Sequence, residues 1–214
     1  MDEDIAIINT KTRNEKVINF FINNKKKLLI FASTSILVIF GYLINDNFKK
    51  HNQIEIANKY NSAIMDFISG DKSEIKNQLV YIINKKNRTY SPLSLYFLID
   101  NNIITENEKI NELFDVVINE IKLEKEIKNL IIYKKALFNS NFESENNIMQ
   151  ILQPLLSSNS IWSSHALYLM AEYFYSRGEK NKAKEFFKEI LILKNSNFEI
   201  KNEVQKILKR DFSD

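Results

Sequence analysis

The chain has 214 residues, with 30 basic and 27 acidic side chains, no cysteine, three glycines and two prolines. The absence of cysteine excludes disulfides, thiol nucleophiles, cysteine zinc sites and a lipoprotein anchor. A near-neutral charge gives no case for nucleic-acid binding, which needs a clustered basic face. So few turn-forming residues argue against a sheet-rich fold and against a glycine-rich phosphate loop.

The first distinctive segment is an uncharged apolar run at residues 28–44, directly behind Lys25, Lys26 and Lys27. At 1.5 Å per helical residue the run reaches roughly 25 Å, near the short end of a bilayer crossing. The hydroxyls of Ser33, Thr34 and Ser35 can donate to carbonyls one turn earlier. We therefore predict an uncleaved transmembrane helix at 28–44.

Two alternatives to this anchor are a buried core helix of a soluble domain and a cleaved signal peptide. A signal peptide normally has a shorter apolar region that ends in a small-x-small site, which this run lacks. The three lysines before the run favour a cytoplasmic N-terminus. The expected layout is a cytosolic segment at 1–27, the span at 28–44 and a periplasmic domain at 45–214, in a single-pass inner-membrane protein.

Beyond residue 50 a helical hairpin pattern recurs four times. Each unit has a leading residue followed by apolar residues at offsets of 12, 16 and 19. These are offsets of tetratricopeptide repeats, in which small residues let paired helices approach closely. The four units are Ala63, Ile75, Leu79 and Ile82; Leu98, Ile110, Phe114 and Val117; Ala136, Ile148, Leu152 and Leu155; and Ala171, Ala183, Phe187 and Ile190.

The segments around these units fit the same reading. Gly178 lies between the helices of the fourth unit and is expected to adopt a left-handed turn conformation. Residues 84–91 and 157–160 separate units, and 198–208 have the pattern of a polar-backed capping helix. The predicted fold is all-α, with about four degenerate tetratricopeptide-like hairpins in a solenoid. The alternative is an irregular helical bundle whose apolar stripes imitate the spacing.

The chain contains no recognisable catalytic or cofactor-binding pattern. His51 and His165 lie in different elements without a second ligand at helical spacing, so we expect no metal site. No nucleophile elbow, zinc-protease motif or P-loop occurs. We expect His165 at an exposed helical start and Trp162 to be an anchor at the turn into unit four, with ligand stacking as the alternative. The prediction is a protein that is not an enzyme and binds no cofactor.

Stacked hairpins line a concave surface with their first helices. The facing positions, counted from the leading residues, are aromatic and aliphatic rather than basic, which suits an extended or partly unfolded peptide. Alternatively, these side chains pack between the helices and bind nothing. The candidate partner-binding residues are Tyr60, Ile64, Phe67, Leu95, Ile99, Tyr133, Leu137, Tyr168, Glu172 and Tyr175.

Residues 148–187 carry a family resemblance. Their succession includes Leu152-Gln153-Pro154-Leu155, then Trp162, then Gly178 followed five residues later by Ala183. With the expected layout, it resembles the ancillary subunit of the bacterial SecYEG translocon. The resemblance implies a non-catalytic inner-membrane protein with periplasmic repeats. The implied partners are the Sec translocon, a membrane-bound periplasmic prolyl isomerase and exported chains, within a chaperone network for protein export.

Two functions remain open at this point. The first is an export accessory that binds partner proteins or emerging chains through its repeats. The second is an architectural scaffold of an envelope or cell-division complex, which would hold subunits together without binding a client. Neither requires a small-molecule substrate or nucleic acid.

Overall fold

The computed structural model describes residues 2–68, 70–157 and 160–212. Within the first helix it describes the side chains of residues 18–20, 22–27, 29–31, 33–40, 42, 44 and 50 onward. The chain divides into two compact units, Met1–Glu55 and Ile56–Asp214. The second unit contains the predicted repeats.

All regular secondary structure in the described residues is helical, which confirms the predicted all-α class. In chain order the elements are α1 (Asp2–Asp66), α2 (Lys72–Asn84), α3 (Tyr90–Asp100), α4 (Asn107–Asp115), a π-helical turn (Val116–Glu120), α5 (Lys125–Asn139), α6 (Glu145–Leu156), α7 (Ser163–Ser176), α8 (Lys180–Ile192) and α9 (Phe198–Asp211).

The prediction of a transmembrane helix at 28–44 is wrong. In the part of the chain that the structure describes, no helix combines the length and the apolarity needed to cross a membrane. The run at 28–44 reaches only roughly 25 Å against a hydrocarbon core of about 30 Å. The hydroxyls of Ser33, Thr34 and Ser35 within the run donate to the carbonyls of Ile30 and Phe31 at 2.8–2.9 Å, as expected from the sequence. The predicted single-pass inner-membrane localisation, with a cytoplasmic N-terminus and a periplasmic domain, depended on this span and is contradicted by the same finding.

The repeat pattern predicts the core of the second unit correctly. All sixteen residues at the leading position and at offsets 12, 16 and 19 are at most 3% exposed. Ala171 and Ala183, the small residues of the fourth unit, are both fully buried where α7 packs on α8. The helices therefore pack as repeated hairpins, an architecture consistent with a tetratricopeptide-like fold.

Helices α3 and α7, each the first helix of its hairpin, end in the same type of turn. Gly178 has φ +79°, as predicted, and its N–H donates to the Tyr175 carbonyl while the next N–H donates to Phe174. At the end of α3, Asn102 has φ +50°, and an equivalent pair of bonds reaches Ile99 and Leu98. Both are Schellman motifs, which satisfy the last carbonyls of a helix and reverse the chain.

The π-helical turn falls in the longest repeat. Leading residues are spaced 35, 38 and 35 apart along the sequence, and the spacing of 38 separates Leu98 from Ala136. Val116–Glu120 lies between these two residues. Because a π turn holds more residues than an α-helical turn, it absorbs part of the extra length while Val117 stays buried.

Helix α9 caps the second unit, as predicted. The side chain of Asn197 accepts hydrogen bonds from the N–H groups of Glu199 and Ile200, which begins the helix. The N–H of Asn197 donates to the Ser164 hydroxyl at 3.1 Å, tying the start of α9 to α7. Val204 and Ile207 face the core, so α9 covers the apolar side of the last hairpin.

Candidate interaction surface

The first three candidate residues, Tyr60, Ile64 and Phe67, are half-buried at the end of α1 and just beyond it. The Tyr60 ring lies 5.4 Å from that of Tyr90, and the Phe67 ring meets that of Phe97 edge-on at 5.1 Å. Both contacts hold the end of α1 against α3. At this end of the unit the alternative interpretation, packing between helices, describes the two rings better than an open groove.

Leu95 does not belong to any surface. It is fully buried within the core of the second unit. A partner could reach it only if α3 separated from its neighbours, so we exclude Leu95 from the candidate surface.

Ile99 and Leu137 come together in a hollow between α3 and α5. The hollow has a volume of about 310 Å³. Leu137 is 45% exposed, and Ile99 is half-buried. The remaining walls come from residues that the sequence did not single out as binding residues: Tyr96, Asp100, Phe114, Lys134, Phe138, Asn141 and Phe142. Two predicted surface residues from successive first helices therefore share one concavity.

One wall of the hollow carries a polar group without a protein partner. Among the described residues nothing hydrogen-bonds the buried hydroxyl of Tyr96. Burial, with the nearby Asp100 carboxylate, raises the pKa of Tyr96 to about 12. The ammonium of Lys134 lies 5.0 Å from the centre of the same ring. A bound group that accepts a hydrogen bond would satisfy the hydroxyl, whose burial otherwise costs free energy.

An aromatic cluster joins α5 to the start of α7. The Tyr133 and Trp162 rings stack at 5.7 Å, and His165 lies 4.8 Å from Trp162 and 5.7 Å from Tyr133. His165 does begin a helix, but it is half-buried rather than exposed as predicted. Burial lowers the pKa of His165. Trp162 therefore packs against rings of α5 and α7, which agrees with the anchor interpretation.

Tyr168, Glu172 and Tyr175 lie along α7. Burial, with Glu172 beside it, raises the pKa of Tyr168 to about 12. The Tyr175 hydroxyl donates to the Asp211 carboxylate at 3.0 Å, and its ring lies 5.8 Å from Phe212. The end of α9 therefore already occupies the Tyr175 side of the predicted groove.

The aromatic pair Phe138 and Phe142 was missed by the sequence analysis. The two rings meet edge-on at 5.3 Å, and Phe142 is 44% exposed. Helical spacing gives no signal for the pair, because α5 ends at Asn139 and Phe142 lies in the turn that follows. The candidate surface positions were three residues before, one after and four after the leading residue Ala136. Phe138 and Phe142 lie two and six residues after it, so neither was selected.

No protein-family model, curated protein or solved structure matches this chain.

Proposed function

We propose that the unit Ile56–Asp214 is a non-catalytic protein-interaction module of the tetratricopeptide type. In this proposal a partner inserts an apolar side chain into the hollow between α3 and α5. One observation carries the proposal: Ile99 and Leu137, chosen from the repeat register as surface residues, line the same concavity. The non-catalytic part rests on the sequence, which lacks the motifs of the common catalytic sites.

The dimensions and chemistry of the hollow suit a side chain of a partner protein. Its volume of about 310 Å³ is at the lower end of ligand pockets in general. Ring faces and aliphatic groups dominate its walls, and such side chains bury much area at low conformational cost. Tyr96 and Lys134 add polar groups that could orient the partner's backbone.

The partners named by the resemblance form a narrower prediction. The Sec translocon, a periplasmic prolyl isomerase and exported chains are supported by the similarity of residues 148–187 alone. The scaffold alternative draws on a different observation, since Tyr60, Phe67 and Tyr175 are engaged in contacts between helices. A scaffold would bind folded subunits and have no use for an open hollow.

The test is a binding measurement with the full-length chain. The probe is an uncharged fluorescent peptide of leucine, phenylalanine and serine, followed by fluorescence anisotropy. Leu137→Glu places a charge at the rim, and we expect it to weaken binding about tenfold, a loss of ~1.4 kcal/mol. Because the contact is apolar, added salt should leave the affinity unchanged.

The matched control is Ile192→Glu, which changes an aliphatic side chain that is 85% exposed on α8. It introduces the same charge without touching the hollow, so binding should remain. If the peptide fails to bind the unaltered chain, or if both variants bind equally well, the hollow does not receive a partner. That outcome would favour the scaffold.

A further inference from the structure

Three exposed aliphatic side chains recur at equal spacing along the repeats. Leu93, Ile127 and Ile161 are 34 residues apart and are 42%, 45% and 59% exposed. Each lies at or just before the N-terminal end of a first helix, in α3, in α5 and before α7. Single exposed aliphatic residues are ordinary, but these three lie at or just before the N-terminal ends of three successive first helices, which defines a distinct edge of the unit.

Hydrogen bonds hold neighbouring parts of this edge together. Leu93 and Ile127 line one hollow of about 550 Å³. The Ser160 hydroxyl donates to Glu126 at 2.7 Å and accepts from the buried Asn129 side chain at 2.9 Å. The residues next to Ile127 and Ile161 are therefore bonded to each other.

The hollow at this edge carries two cations, Arg88 and Lys122, together with one carboxylate, Glu124. In the described part of the chain no carboxylate pairs with Arg88 or Lys122. An ion pair between Lys86 and Glu120 at 2.6 Å joins the α2–α3 loop to the π-helical turn. Arg88 follows Lys86 by two residues, and Lys122 follows Glu120 by two. The hollow therefore has more positive than negative side chains, and the two segments that carry the cations are joined by this ion pair.

We propose that this edge binds an acidic, leucine-rich segment of a partner protein. A carboxylate of the segment pairs with Arg88 and Lys122, and its apolar side chains cover Leu93 and Ile127. The charge of the hollow selects the carboxylate, and the aliphatic side chains supply the buried area. This surface shares no residue with the hollow between α3 and α5, so it goes beyond the function proposed above.

A polypeptide segment fits this edge better than an anionic membrane does. The two cations and the two aliphatic residues surround a concavity, which one or two side chains can enter. A bilayer surface would instead favour a row of basic residues beside a projecting apolar face. Membrane binding is therefore an outcome of the test rather than part of the proposal.

The test uses the full-length chain and a short fluorescent peptide of alternating aspartate and leucine. Arg88→Glu and Lys122→Glu should each weaken its binding about tenfold, because each replaces an attraction with a repulsion. Ile127→Ser should weaken it severalfold through lost apolar contact. Raising the salt from about 0.05 to about 0.5 M should also weaken binding, unlike binding at the other hollow.

The control variants are Lys188→Glu, which makes the same charge change on an exposed part of α8, and Leu137→Glu in the other hollow. Both should leave the binding of this peptide intact. Circular dichroism checks that each variant remains helical, and Lys122→Glu carries the test if Arg88→Glu does not fold.

Four results would overturn the proposal. They are no binding of the aspartate–leucine peptide, equal binding of a lysine–leucine peptide, an equal loss with Lys188→Glu, and Arg88-dependent binding of phosphatidylserine vesicles without binding of the peptide.

Discussion

The side-chain amides of Asn111 and Asn139 hydrogen-bond to each other in both directions, at 2.9 and 2.8 Å. Asn139 is buried, and its amide nitrogen also donates to the Lys135 carbonyl at 2.7 Å. The pair joins α4 to α5, and α5 also carries Leu137. A buried polar pair of this kind is costly when broken, so it helps to fix how the second hairpin meets the third.

The first prediction concerns this amide pair. Asn139→Leu should lower the free energy of unfolding by about 1–3 kcal/mol, because it leaves the amide of Asn111 without its buried partner. The double variant with Asn111→Leu should be less destabilised than the sum of the two single variants. Urea denaturation gives all four values of the cycle. Simple additivity would show that the two amides do not act as a pair.

The second prediction concerns the small residue of the fourth repeat. Ala171 is fully buried where α7 meets α8. Ala171→Leu should cost about 1–3 kcal/mol, because the added methylene groups force the two helices apart. Lys188→Leu introduces the same side chain on an exposed face and should cost less than about 0.5 kcal/mol. Equal stabilities of the two variants would mean that α7 and α8 do not depend on close approach.

The third prediction concerns the turn after α7. A Cβ atom at Gly178 would meet no atom within 4 Å, so a side chain there is opposed by backbone conformation alone. Gly178→Ala should therefore cost about 1–2 kcal/mol, as measured by urea denaturation. Gly178→Asn should cost less, as asparagine tolerates the left-handed region and Asn102 already adopts it in α3's turn. An alanine variant as stable as the parent would contradict the Schellman assignment.

The fourth prediction concerns pH. The chain has one tryptophan, Trp162, and its ring lies 4.8 Å from His165. Because burial lowers the pKa of His165, protonation should change Trp162 emission with a midpoint below 6.5. The free energy that neutral His165 contributes is present above pH 6.5 and is lost as the pH falls through the lowered pKa.

The control for this titration is His165→Gln, which should abolish the emission change in that range. A midpoint at or above 6.5 would contradict the burial of the imidazole. So would an emission change that persists without the histidine.

The repeat register could be predicted because it depends on local packing. Close contact between paired helices restricts the leading and following positions to small or apolar residues, and such residues leave a pattern in the sequence. That pattern placed Ala63, Leu98, Ala136 and Ala171 in the core, where the structure has them. The capping helix was predictable for the same reason, since its apolar positions follow a helical period.

The surface could be predicted only in part. Whether a residue faces a groove depends on the angle between successive hairpins, which offsets within one hairpin do not encode. Leu95 and Ile99 are four residues apart on α3, yet the first is in the core and the second lines a hollow. The π-helical turn was also missed, although the spacing of 38 residues marked the repeat that holds it. The membrane prediction relied on the apolarity of a short run, which was not enough for a crossing helix.

The most direct measurement places a photo-activatable benzophenone at position 137 or at position 192 in the full-length chain. Each variant is irradiated with the uncharged leucine–phenylalanine peptide, and the cross-linked residues are identified by mass spectrometry. If the hollow between α3 and α5 receives a partner side chain, the peptide is captured from position 137 and not from position 192. Equal capture from both positions, or none from 137, would contradict the proposed function.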